Sequence, residues 1–198
     1  MPSDVRELLS RSALEVAPLL LGAVIRHGDV AVRLTEVEAY LGEGDPGSHA
    51  YRGRTPRTAV MFGEPGHLYT YFSYGMHVCA NIVCSPEGTA SAVLLRGGEV
   101  TEGLDIARDR RTTSKSDTDL ARGPARLTLA LGITLEHGGV DLMTGPVRLE
   151  LTTTGVDAAA SARTGVSGLG GGDDYPWRFY IAGDSTVSPY RRSVPRTK

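Results

Sequence analysis

Three apolar, β-rich runs near residues 67–73, 77–84 and 91–96 follow one another, with Tyr74-Gly75-Met76 and Ser85-Pro86-Glu87-Gly88 as the turns between them. Parallel neighbours need a crossover of roughly a dozen residues or more, so connections this short leave only antiparallel pairing. The middle of the chain is therefore expected to be an antiparallel meander. Upstream, VAVRLTEVEAYLG alternates as a strand does, and His27-Gly28-Asp29 between two β-like runs reads as a hairpin turn. Further strands are expected near 146–152 and from Trp177 to Ala182.

Helical spacing surrounds these strands. Ser3 ahead of Asp4 and Glu7 resembles an N-cap with acids in the first turn, and Leu8, Leu9, Ala13 and Leu14 continue one helix that Pro18 ends. Two more helices are expected at about 101–109 and 119–131. Gly42 to Gly66 should be mainly loop, and segments 112–118 and 167–175 are expected to be mobile. The glycine cluster in DAAASARTGVSGLGGGDD reads as a surface loop rather than a phosphate cradle, since no strand leads directly in and no helix directly follows. The ordering predicts an α/β chain of the α+β type. It would be a single domain over residues 1–198, with a curved, mostly antiparallel sheet, surrounding helices and a protruding β-hairpin.

With 198 residues and 40% hydrophobic content, one core is sufficient and no internal repeat is present. No run approaches the ~20 apolar residues of a membrane span, so a soluble chain is expected. Cys79 and Cys84 lie five apart in one apparent strand, where period two puts them on opposite faces; a bridge between them is not expected, and a reducing cytosol fits. The net charge of −2 excludes a uniformly basic nucleic-acid binder. Positive residues nonetheless cluster: Arg52, Arg54 and Arg57; Arg108, Arg110, Arg111 and Lys115; Arg191, Arg192, Arg196 and Lys198. His49, His67 and His77 lack the spacing of a metal site, and no metal is expected.

The strands carry polar groups on chosen faces. Alternation places Glu36, Glu38 and Tyr40 together and Val37 and Ala39 opposite. Tyr69 and Tyr71 share one face, as do His77, Cys79 and Asn81 on the following strand. Singly these have ordinary explanations: an exposed strand acid, core aromatics, a ladder amide. Because an unpaired buried polar group costs about 1–3 kcal/mol, their convergence points to a pocket.

The run EVEAYLGEGDPGSHAYRGRTPRTAVMFGEPGHLYTYFSYGMHVCANIV resembles the alkyladenine DNA glycosylase family, also called the 3-methyladenine DNA glycosylases. AVLLRGGE at 92–99, GPARLTLALGI at 123–133, RTGV at 163–166 and WRFYIAG at 177–183 extend the resemblance in order along nearly the whole chain. It implies a monofunctional enzyme that rotates damaged purines out of duplex DNA and hydrolyses the N-glycosidic bond, leaving an abasic site. By this resemblance Glu38 is the catalytic carboxylate, and Arg96 helps position the water and the target phosphate. Tyr71 stacks on one face of the base, Tyr40 and His49 close the other, and Asn81 meets the purine edge. Tyr74 is the wedge that fills the gap, flanked by Met76 and His77. Because Arg52, Arg54 and Arg57 lie between the pocket residues in sequence, phosphate contacts are expected from them rather than from the C-terminal run. Glu36 matches no catalytic position and is taken as supporting or surface. No metal or organic cofactor is implied, the partner is double-stranded DNA carrying a damaged purine, and a cytoplasmic, nucleoid-associated monomer is expected. A binding module without turnover and a sheet domain for a sugar or nucleoside are the competing readings. The first leaves the catalytic motif positions, and the second the wedge at Tyr74, without a purpose.

Overall fold

The computed structural model describes residues 2–73, 75–152 and 155–193. Val24–His27 (β1) turns through Gly28, whose φ of 57° suits a residue without a Cβ, into Val30–Leu41 (β2). β2 organises the sheet. One edge pairs along its length with Ser91–Glu102 (β5), while the other is divided, with β1 against residues 30–33 and Arg178–Ile181 (β8) against residues 36–38. Leu68–Ser73 (β3) and His77–Val83 (β4) form a hairpin that joins β5, Val147–Glu150 (β6) flanks β1, and Ala158–Ser161 (β7) flanks β8. The pairings described are all antiparallel, and the sheet is curled, in keeping with the α+β expectation. The tip residue Tyr74 lies outside the described residues.

Several boundaries differ from the sequence reading. The first helix is two: Pro2–Leu9 (α1) and Ala13–Leu19 (α2). Ser12 restarts the chain with a capping box, its hydroxyl accepting from Leu14 N at 3.3 Å while Glu15 accepts from Ser12 N at 3.3 Å. Pro18 sits inside the last turn of α2. The helices expected at 101–109 and 119–131 are Leu104–Arg110 (α3) and Pro124–Leu131 (α4), the latter beginning at the proline because its ring pre-sets helical φ at the first position. β5 continues through Gly97-Gly98 instead of stopping there. The register shifts around Glu36 show why: bulges absorb the irregularity, and bare glycines allow the strands to approach.

Period-two alternation gives the sheet two different faces. Val37 and Ala39 of β2, Ala80 and Ile82 of β4, and Val93 and Leu95 of β5 enter the main core with α2 and α4. Opposite them lie Glu36, Glu38 and Tyr40, then Cys79 and Asn81, with a smaller cluster around Met61, Tyr69 and Val83. The second basic run is architectural. Arg108 pairs with Asp105 and Asp117, Arg110 donates to Ala130 O at 2.9 Å, and Arg111 to Leu120 O at 3.1 Å.

Candidate active site

The bulged stretch of β2 and β5 brings two carboxylates and an arginine together. Glu36 pairs with Gly97 and Val37 with Leu95, which leaves Arg96 opposite no residue and free to turn inward. Glu36 is fully buried and is not a surface residue. Its Oε1 accepts from Arg96 Nε (2.8 Å), Arg178 Nε (2.6 Å) and Ser188 Oγ (2.9 Å), and its Oε2 from Ser188 N (2.8 Å). Glu38, also fully buried, accepts from Thr164 N at 2.7 Å through Oε1 and from Tyr40 Oη at 2.8 Å through Oε2. Arg96 Nε lies 3.5 Å from Glu38 Oε1. Desolvation opposes the charge on Arg96, but Glu38 and Glu36 outweigh it and raise its pKa. Its bond to Glu36 uses Nε, which leaves the terminal nitrogens for the cavity that Arg96 lines.

A second ion pair supports this wall from behind. Arg163 and Asp45 are wholly buried and bidentate, both contacts at 2.6 Å. Arg163 also donates to Ala39 O (3.0 Å) and Gly170 O (2.7 and 3.0 Å), while Asp45 accepts from Leu41 N (3.1 Å) and Gly47 N (2.8 Å). The guanidinium lies 4.4 Å from the Tyr40 ring centroid. Gly47 and Gly170 permit this, since a Cβ on either would overlap Arg163 or the other's backbone. Gly170 and Gly171 are therefore buried, where the sequence suggested a surface loop.

The third wall is aromatic. Cross-strand pairing of Tyr69 with Asn81 and Tyr71 with Cys79 sets the two tyrosines in an offset stack, 5.7 Å between centroids. His49 meets Tyr71 edge-on at 4.5 Å. Its Nε2 lies 3.4 Å from Arg57 Nη2, and since arginine only donates, Nε2 must accept. The proton of neutral His49 then sits on Nδ1, which donates to Tyr69 Oη at 3.3 Å. Desolvation by the enclosing walls, then the Arg57 charge, lowers the His49 pKa to about 4, so the ring is neutral near pH 7. Burial pushes the phenols of Tyr40 and Tyr71 up, so both remain hydrogen-bond donors. Asn81 Nδ2 donates to Tyr69 O at 3.1 Å, leaving its Oδ1 available.

These walls enclose a cavity of about 780 Å³. Of the residues singled out from sequence, Glu38, Tyr40, His49, Arg57, Tyr71, Asn81 and Arg96 all line it. Arg52, Arg54, Met76 and His77 are exposed and stand outside the lining, and Tyr74 falls outside the described residues. Tyr69, read from alternation as facing a pocket, lines the cavity, as do Thr164 and Arg191, for which no site role was read; the RTGV motif around Thr164 was the available signal.

Known proteins resemble this chain along most of its length. The family described as methylpurine-DNA glycosylase (MPG) matches residues 7–185. Among similar proteins, one from Leifsonia xyli subsp. xyli is 56% identical, covering 97% of this chain and 97% of its own. One from Streptomyces avermitilis is 53% identical over 98% and 94%, and one from Burkholderia lata 46% identical over 92% and 89%. Each carries the name "Putative 3-methyladenine DNA glycosylase".

Proposed function

The chain belongs to the methylpurine-DNA glycosylase family, and from that premise we propose that it releases 3-methyladenine from duplex DNA by hydrolysis with a water activated by Glu38. It is a DNA-repair hydrolase of the N-glycosylase class. The observation that carries the finer reading is the Glu38 carboxylate, fully buried yet lining an aromatic cavity beside the free edge of Arg96.

A base within a duplex is out of reach, so its nucleotide rotates by about 180° into the cavity. As the N-glycosidic bond breaks, positive charge grows on the sugar. Glu38 offsets that charge and takes a proton from water. Thr164 N and Tyr40 Oη hold its oxygens in place while leaving lone pairs for that water. The terminal nitrogens of Arg96 orient the water and the target phosphate. A purine alkylated on the ring is cationic and departs without further protonation, and no strand cleavage follows, so an abasic site remains.

Walls on opposite faces of a flat base stand roughly 7 Å apart, twice a ~3.5 Å contact. His49 and Tyr71 now touch, so His49 moves as the base stacks on Tyr71. Stacking contributes on the order of 1–3 kcal/mol per base and tolerates several purines, which extends the spectrum to hypoxanthine, ethenoadenine and 7-methylguanine. Asn81, fixed to Tyr69 O, borders the purine edge where guanine carries its amino group and disfavours unmodified guanine, which lacks the positive charge that makes 7-methylguanine a good leaving group. On the DNA side Tyr74 fills the vacated stack with Met76 and His77 beside it, and Arg52, Arg54 and Arg57 neutralise phosphates. The test is single-turnover base release from duplexes carrying each of these lesions, with abasic sites counted. Release from the 3-methyladenine duplex without strand nicking is expected, and none above the uncatalysed rate would overturn the reading.

A further inference from the structure

We infer that Arg191 is a phosphate ligand at the cavity, held there by a strap formed by residues 184–191; this rests on reading the cavity as a site for a nucleotide of duplex DNA. The strap is fastened along its length. Thr186 Oγ1 bonds Thr35 Oγ1 at 2.8 Å, Val187 O accepts from Arg122 Nε at 2.8 Å, and Ser188 makes two bonds to Glu36 and accepts from Arg178 Nη2 at 2.9 Å. Beyond Ser188, Arg191 O accepts from Gly165 N at 3.0 Å, one residue past Thr164, whose amide holds Glu38. The backbone of Arg191 is thus pinned to the same loop that orients the candidate catalytic carboxylate.

Its side chain differs from that of its neighbour. Arg192 faces Asp173 at 3.7 Å, whereas Arg191 has no carboxylate partner among the described residues and stands in the cavity lining. The cationic groups in that lining are Arg57, Arg96 and Arg191. Arg57 leans on His49, and Arg96 has its Nε committed to Glu36. Arg191 keeps its whole guanidinium, exposed to solvent, for an anion that arrives with the DNA. Guanidinium and phosphate match in bidentate geometry, so the expected ligand is a phosphodiester of the strand that delivers the base.

The experiment measures binding of wild-type protein, Arg191→Ala, Arg191→Lys and Arg192→Ala to a duplex carrying a tetrahydrofuran abasic-site analogue, over a salt series. Arg191→Ala should bind roughly tenfold more weakly. Its slope of log affinity against log salt should be shallower by about 0.9. Arg191→Lys should keep the slope, and Arg192→Ala, which removes the same charge one residue away, should keep both slope and affinity. An unchanged slope in Arg191→Ala, or equal changes in the two alanine variants, would overturn the inference, the latter by assigning the effect to diffuse tail charge. Wild-type protein that binds the analogue but releases no base would count against the proposed reaction and leave the assignment of Arg191 to be decided by these slopes.

Discussion

Two buried clusters of carboxylates and guanidinium groups flank β2, and they are finished differently. In the Asp45–Arg163 pair both oxygens and all three nitrogens find protein partners, at distances from 2.6 to 3.1 Å. In the other, Glu36 is equally saturated, but Glu38 and Arg96 each make fewer bonds than they can and border the cavity. Burying a charge costs several kcal/mol unless its hydrogen-bonding capacity is met. A saturated pair recovers that cost within the fold and has nothing left for a ligand. An unsaturated pair remains costly until something enters. Completeness of hydrogen bonding thus separates the cluster that holds the walls from the one that faces the cavity.

The largest effect should come from the open cluster. Glu38→Gln keeps shape and the bond from Thr164 N but removes the basic oxygen, and single-turnover base release should fall by roughly 10²–10⁴-fold with lesion-duplex affinity preserved. Turnover near wild type would erase the distinction between the clusters. Next, Arg163→Met should cost about 3–5 kcal/mol in denaturant unfolding, because it strands the Asp45 carboxylate and loosens the loop from Gly42 to His49. If its unfolding midpoint matched wild type while base release fell, the closed pair would have to be reclassified as part of the chemistry.

The smallest effect concerns His49, in the aromatic wall beside Tyr69 and Tyr71. Its pKa in the folded protein, about 4, lies below the ordinary imidazole value near 6.5, so between those values the unfolded chain binds more protons. Its contribution to stability is complete above about pH 6.5 and is lost as pH falls toward 4. His49 is exposed at the rim, where water screens part of the shift, so the loss is modest. Thermal melts at pH 7 and pH 5 should show a smaller drop for His49→Gln than for wild type, and identical drops would remove His49 as the titrating group.

Much of the frame was legible locally. Short turns dictated antiparallel neighbours, and alternation alone placed Glu36, Glu38 and Tyr40 opposite Val37 and Ala39. The misreadings share one cause, which is reliance on residue type where distant partners decide. Ala158–Ser161 has little intrinsic preference for strand, yet it becomes one by pairing with β8. Gly97-Gly98 looked like a strand end, but β5 continues through it, with no room on Gly98 for a Cβ against the β2 backbone. Arginines at 108, 110 and 111 are only a basic run in the sequence; their carboxylate and carbonyl partners make them architectural.

The site divides along the same line. Period and turn length are properties of a few neighbouring residues, so the chain by its own order settles which side chains share a face, and its motifs settle the family. Saturation of a buried charge is not local. Thr164 reaches Glu38 across 126 positions, Asp45 meets Arg163 across 118, and Ser188 meets Glu36 across 152. No sequence period links such distances, and the same arginine is a strut or a ligand depending on how many of its nitrogens the fold has already used. Folding alone therefore determined that Arg163 is sealed, that Arg96 keeps one edge open, and that Arg191 stands in the wall of the cavity.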